Sequence, residues 1–533
     1  MQSAILLLLS AVFFIAAYFI YGGWIARKLK INDANKTPAH TERDGIDYMP
    51  APRFVLLGHH FASIAGVGPI VGPIVASQFG WLPVFLWILL GSVFIGAVHD
   101  FTSLVASMRH KGKTIGAVME HYLGPLAKKV FLVFTWFTLV LVIAVFAIVI
   151  SNTLVATPQA GTSSGLFIVI AVAFGYFVYV KKTPLLPSTV LGVALLLGSV
   201  WLGIVYPLSL QYNTWIIILL IYVVIASVTP VWLLLQPRDY LNSFFLYIIL
   251  AAGFLGVLFY RPTVEIAAFT GFHVEGLGWL FPILFVTVAC GAVSGFHSIV
   301  ASGSSSKQIE KESDSRFVGF GGMLIEGVLA VIALITAIML TKTQYAAIGS
   351  PGAVFASGFG TLVSALGIPA SSGKTFASLA ISAFALTTLD TATRLGRYTL
   401  QELFDGKKGV FSDFVSNRFT ATFLTVAAAS FLAFNKGGTM SIWPLFGSAN
   451  QMLASLALLT VSAWLAKNAV NSLFARIPAV FMFLVTIAAI GTLIRQNIVA
   501  GNLPLTVISC CLMATALFVS VFAFMPGKEK TAA

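Results

Sequence analysis

Apolar runs of about 20 residues, the length that crosses a bilayer's hydrocarbon layer as a helix, recur from one end of this chain to the other. A helix-length window places about 15 transmembrane helices. They run over Ala4–Ala26, Phe54–Phe79, Leu82–Met108, Ala127–Ala156, Ser163–Val180, Leu185–Pro207, Asn213–Leu235, Leu241–Tyr260, Trp279–Gly303, Phe317–Thr341, Ser372–Thr393, Phe419–Phe434, Met440–Leu465, Ile477–Ile494 and Asn502–Met525. The pattern predicts an all-α polytopic membrane protein, with 1–533 as a single transmembrane domain. Between the tenth and eleventh spans, Gln344 to Gly373 is rich in Gly, Ser and Ala. It reads either as a lid folded into an outer vestibule or as a surface loop.

Two of the apolar runs are interrupted. GHHFASIAGVGPIVGP (Gly58 to Pro73) in the second span and CGAVSGFHSIVASGSS (Cys290 to Ser305) in the ninth combine helix breakers with histidines. Non-helical backbone at membrane depth survives only where it is buried in protein or lines a cavity. Paired broken helices in two halves of a chain point to the substrate site of a secondary transporter.

Charge placement supplies an orientation. Of the 31 Lys and Arg, 26 follow odd-numbered spans, and only Arg261, Lys342, Lys374, Lys436 and Arg495 follow even-numbered ones. By the positive-inside rule the odd loops are cytoplasmic, the N-terminus is outside and the C-terminus inside. The first span lacks a basic segment before it, while Arg27, Lys28 and Lys30 follow it, so it reads as uncleaved. The second and ninth spans then cross in opposite directions. This predicts a 5+5 inverted repeat with broken helices: 54–207 the first repeat, 208–278 a two-helix insertion, 279–465 the second repeat and 466–533 C-terminal peripheral helices.

Composition agrees, at 58% hydrophobic and 9% charged residues. The net charge of +13 does not mean nucleic acid, because the basic residues sit in short loops and no basic, aromatic-interleaved domain exists. Cys290, Cys510 and Cys511 lie in apolar runs and offer neither a disulfide framework nor metal-knuckle spacing. The partners expected are the lipid bilayer and a small-molecule substrate, and the pattern sets no oligomeric state.

Ionisable and polar groups inside spans are the candidates for chemistry. The breaks Gly66, Gly68 and Pro69, and Ser294 and Gly295, expose helix N-termini suited to an anionic substrate group. His59, His60 and His297 add donors or carry a coupling proton, or else hydrogen-bond freed carbonyls. Asn450 and Gln451 contact substrate or bond between helices. Asp390 forms an i, i+4 pair with Arg394, or joins Thr387 and Thr388 and the carbonyls of Ala65 and Gly66 in a cation site. Glu326 reads as a proton relay or gate, and His99 with Asp100, near Arg109, as a structural or gating ion pair. No cofactor or resident metal is called for; a co-transported H+ or Na+ fits.

The two interrupted motifs, with GAVHDF, LTTLDTATRLGRYTLQELF, WPLFGSANQMLA and DGIDYMPAPRFVLLGHH, resemble the carbon starvation protein A (CstA) family, in that family's order along the chain. The resemblance implies a prokaryotic plasma (inner) membrane transporter induced under carbon limitation. It also implies peptide uptake or proton-coupled pyruvate uptake, on a LeuT-like core of the amino acid–polyamine–organocation superfamily. The expected function is secondary active uptake of a small organic nutrient by ion-coupled alternating access. A divalent-metal transporter on the same core, or a membrane nutrient sensor, is the alternative. An enzyme is not expected, since no nucleophile or metal constellation is visible.

Overall fold

A computed structural model describes residues 2–44, 48–229, 233–404, 409–434 and 438–524. Lys436, Lys528, Lys530 and the Met525 boundary lie outside the described residues. In chain order the principal helices are α1 (Ser3–Lys28), α2 (Arg53–Ile64), α3 (Gly68–Ala76), α4 (Trp81–Arg109), α5 (Ile115–Leu123), α6 (Pro125–Ala156), α7 (Pro158–Val178), α8 (Leu185–Val205), α9 (Tyr212–Val228) and α10 (Leu235–Tyr260). They continue as α11 (Leu280–Thr287), α12 (Gly295–Gly303), α13 (Arg316–Ile338), α14 (Lys342–Ile348), α15 (Pro351–Ser364), α16 (Ala370–Phe404), α17 (Arg418–Ala433), α18 (Gly438–Lys467), α19 (Leu473–Val499) and α20 (Leu503–Phe524). Among the described residues the only strands are a two-residue antiparallel pair, His273–Val274 with Gly278–Trp279, ahead of α11.

Eleven of these helices are long and apolar enough to cross a bilayer singly, and α2 with α3, bent by 49°, makes a further broken span. The chain is a multi-pass membrane protein. Burial sorts the helices into two shells. The most apolar windows of α6, α13, α16 and α18 are 83–89% buried inside the protein, whereas those of α1, α7, α8 and α20 are 33–39% buried and turn apolar side chains outward. In lipid such outward faces cost nothing, so burial within protein, not hydrophobicity, marks the core.

The second span breaks where its sequence withdraws helical support. Ala65 leaves the helical region (φ −78°, ψ 70°), and α3 restarts with Pro69 in its first turn, where a missing N–H costs no hydrogen bond. The ninth span loses helix from Val288 (φ −92°, ψ 59°) to Ser294 (φ −132°, ψ 122°). Both breaks therefore sit slightly earlier than the sequence indicates. Ala65 to Val67 and Val288 to Ser294 are unwound, while Gly68, Pro69, Gly295 and His297 belong to the first turns of the second half-helices.

Two boundaries are corrected. The Gln344–Gly373 segment is not a surface loop: α14 and α15 turn by 116° against each other, and α15 packs on α16, α10, α13 and α3. Its Gly352, Gly358 and Gly360 are buried, and Gly358 and Gly360 let the backbones at Thr336 and Ala370 approach. The eighth span begins at Leu235 instead of Leu241, so Arg238 and Asp239 lie in helix and are buried, not in a cytoplasmic loop. The tripeptide Pro237-Arg238-Asp239 reads as a loop by composition, and its tertiary partners override that signal.

Candidate functional site

The two broken spans cross antiparallel, and their contacts give the order directly. His59 and His60 of α2 meet Ser304 and Ser305 just beyond α12. Farther along, Gly68 abuts the Cys290 side chain, and a Cβ at Gly72 would lie 2.6 Å from the Thr287 carbonyl. Every residue from His60 to Ser77 and from Val286 to Ser298 is buried, so both breaks are closed off from solvent in this conformation.

Freed carbonyls at membrane depth need donors. At the ninth-span break they come from side chains absent from the sequence candidates. Trp443 Nε1 donates to the Thr287 carbonyl and Trp87 Nε1 to that of Val288, both at 3.2 Å, and Ser92 Oγ donates to Gly291 at 3.1 Å. Asn450 Oδ1 accepts the Phe296 N–H at 2.9 Å, capping the start of α12, and its Nδ2 donates to Ser294 Oγ at 3.0 Å. Gln451 Nε2 donates to the Phe285 carbonyl at 2.6 Å. The adjacent amides of α18 thus hold the two halves of one broken helix, Asn450 gripping α12 and Gln451 gripping α11. This is the interhelical alternative, and Asn450 occupies a donor that an anionic substrate group was expected to use.

Beside this break runs a string of buried ionisable groups. Asp100 on α4 has its two carboxylate oxygens on two imidazoles: His99 Nδ1 at 2.7 Å and His297 Nδ1 at 2.8 Å. With Asp100 ionised, both Nδ1 atoms are donors, which leaves His297 Nε2 with a lone pair or a second proton. That nitrogen lies 3.4 Å from Glu326 Oε2 of α13 as an ion-pair contact without hydrogen-bond geometry, and neither it nor either Glu326 oxygen has a hydrogen-bond partner among the described residues. Two titratable groups from different helices, His297 on α12 and Glu326 on α13, thus face each other out of contact with solvent. His60 Nδ1 is tied to Ser305 Oγ at 2.7 Å, with its Nε2 unpartnered and Asp100 and His297 within electrostatic reach. His59 Nε2 lies 3.3 Å from Ser304 Oγ.

Asp100 is not paired with Arg109. That guanidinium binds Glu312 at 2.8 Å, in a loop junction where Glu312 also accepts from Asn32 N and Asn35 Nδ2.

The second polar cluster differs more from the sequence reading. Asp390 does not pair with Arg394. It forms a fully buried ion pair with Arg238 of α10 and accepts from Tyr222 Oη of α9 at 2.8 Å, while Arg238 also binds Asp239 at 3.1 Å. Arg394 instead donates to backbone carbonyls of α9's end. The i, i+4 pair does not form, since α10 sets the Arg238 guanidinium on Asp390 while Arg394 is taken up by the carbonyls at the end of α9. Thr387 Oγ1 accepts from Asn242 Nδ2 at 3.0 Å, and Thr388 faces the first break, since a Cβ on Gly66 would lie 2.6 Å from its Oγ1. Of the proposed cation ligands the fold brings Thr388 and Gly66 together, while Asp390 is neutralised by Arg238. Arg238, Asp239 and Tyr222 were missed; the adjacent Arg-Asp pair between apolar runs was the available signal.

Two antiparallel interrupted helices, buried inside the protein and flanked by an Asp–His–Glu string, define the candidate site of this polytopic membrane protein. The chain belongs to the carbon starvation protein CstA family, whose profile matches residues 2–357 and 351–489. It is 33% identical to the peptide transporter CstA of Campylobacter jejuni over 91% of this chain and 79% of that protein. It is 34% identical to the Bacillus subtilis peptide transporter CstA, over 93% and 91%, and 31% identical to the pyruvate/proton symporter BtsT of Escherichia coli, over 90% and 80%. Among solved structures, a mutant of the Eremococcus coleocola manganese transporter aligns with a TM-score of 0.52 over 90% of this chain and 98% of that one, at 11% identity, a likeness of fold.

Proposed function

We propose that this chain is a secondary active transporter of a bacterial inner membrane, taking up a small carboxylate-bearing nutrient, a short peptide or a pyruvate-like acid, by proton-coupled alternating access. Relatives named for peptide transport and for pyruvate/proton symport support the substrate class. The single observation carrying the mechanism is the position of Asp100, His297 and Glu326. His297 sits in the first turn of α12, so a proton exchanged with Glu326 on α13 changes the charge at the half-helix that starts from the break. Motion of the broken helices relative to the inner spans then opens one side or the other. The antiparallel crossing of the two breaks supports a LeuT-like 5+5 inverted repeat as the framework.

Protons are favoured over sodium because Asp390, the carboxylate of the alternative cation site, is held by Arg238. A divalent-metal reading has less support, since among the described residues no three His, Cys, Asp or Glu side chains are grouped to hold an ion. The test is uptake of labelled pyruvate and of a labelled dipeptide into proteoliposomes under imposed H+ or Na+ gradients in turn. Concentrative uptake driven by the proton gradient is expected. Uptake that needs sodium and ignores the proton gradient would overturn the coupling assignment.

A further inference from the structure

Helix α9 ends at Val228, and its last carbonyls lack intrahelical partners. Two arginines of α16 supply donors. Arg394 Nη2 reaches the Ala226 and Thr229 carbonyls at 2.9 and 2.7 Å, and Arg397 Nη1 reaches that of Ser227 at 2.8 Å. The two arginines lie one turn apart on one face of α16, and as whole residues are 9% and 6% exposed. Carbonyls satisfy their N–H groups without cancelling their charge. The negative end of α9's dipole offsets only about half a unit.

Arg418, the first residue of α17, joins them around a cavity of 360 Å³ that Tyr398 and Gln401 also line. Arg394 and Arg418 are near enough to Arg397 to repel it, and Arg397 stacks on the Tyr398 ring at 4.5 Å. No acidic side chain is among the described residues lining the cavity. The neighbouring acids of α16 are engaged elsewhere, Asp390 with Arg238 and Glu402 with Lys128. The Nε atoms of both buried arginines also lack a hydrogen-bond partner. Among the described residues no carboxylate pairs with these three guanidiniums, two on α16 and one at the start of α17, and guanidinium forks match phosphate oxygens in pairs.

We propose that this cavity binds a phosphate group, held by Arg394, Arg397 and Arg418, and so ties the end of α9 to α16 and α17. The phosphate belongs either to an anionic phospholipid headgroup, for which basic pockets between membrane helices are suited, or to a soluble phosphate compound. Nothing in the proposed transport reaction requires this site.

The test uses the full chain purified in neutral detergent and stripped of lipid, with thermal unfolding followed on addition of phosphatidylglycerol, phosphatidylcholine, or sodium phosphate against sodium chloride at equal ionic strength. Phosphatidylglycerol is expected to raise the midpoint, with phosphatidylcholine and chloride inert. Arg418→Gln changes an exposed residue, so the unliganded midpoint should hold while the concentration of lipid needed rises about tenfold, the loss expected for one charged hydrogen bond. A shift with inorganic phosphate that also depends on Arg418 would assign the site to a soluble phosphate. Absence of a shift with every phosphate-bearing ligand, or an Arg418→Gln protein responding like the wild type, would overturn the proposal.

Discussion

At the residue scale, a few close approaches in the broken spans leave no room for a side chain. A methyl at Gly66 would lie 2.6 Å from Thr388 Oγ1 and 2.9 Å from Phe146 Cε1, well inside ordinary van der Waals contact. Gly66→Val should therefore abolish uptake in protein that still reaches the membrane. Gly66→Ala should impair uptake in part, and Thr388→Ala should relieve that impairment, a non-additivity expected only of touching residues. Wild-type uptake by Gly66→Val would remove the first break from the mechanism. Asn450→Ala strips the cap from α12 and should cost about 1–3 kcal/mol, read as a lowered unfolding midpoint. The sequence marked both positions, through glycine in a broken span and an amide in an apolar one. It left open whether Asn450 serves substrate or backbone, because that depends on which N–H faces it, and α12 is 154 residues away.

At the element scale, the broken spans and the α9–α10–α16 junction behave differently. A half-helix can be read from proline, glycine and φ-restricting sequence, since those preferences act within a few residues. A buried ion pair between α10 and α16 cannot, since Arg238 and Asp390 are 152 positions apart and their pairing depends on how helices pack. Removing one partner of such a pair is far costlier than replacing both. Arg238→Met leaves Asp390 and Asp239 without their cation and should cost about 3–5 kcal/mol. Asp390→Asn, which leaves Arg238 with Asp239, should cost less, and Arg238→Met with Asp390→Leu should recover much of the loss. Unfolding midpoints of the three proteins in detergent decide the order; equal losses for both single variants would show that Asp239 does not share the cation.

At the scale of the whole molecule, coupling should separate from binding. Glu326→Gln retains shape and removes the titrating group, so proton-driven accumulation should fall to background while exchange of labelled for unlabelled substrate continues. Full accumulation by the Glu326→Gln protein would exclude Glu326 as the coupling group. The amino-acid sequence by itself determined the class of this protein, because lipid demands long apolar helices and that demand is local; against the about 15 spans it predicts, the described residues hold 11 helices long and apolar enough to cross, or up to 13 if each bent pair is one span. It also located the two breaks to within a few residues, and the family. Tertiary structure alone decided the partners: His297 between Asp100 and Glu326, Arg238 rather than Arg394 on Asp390, Arg109 on Glu312, and indoles of Trp87 and Trp443 on the freed carbonyls. Inside a membrane protein hydrophobicity is nearly uniform and cannot say which helix faces which; polar groups choose their partners only when the folded chain brings a donor within reach of an acceptor that has no water to turn to.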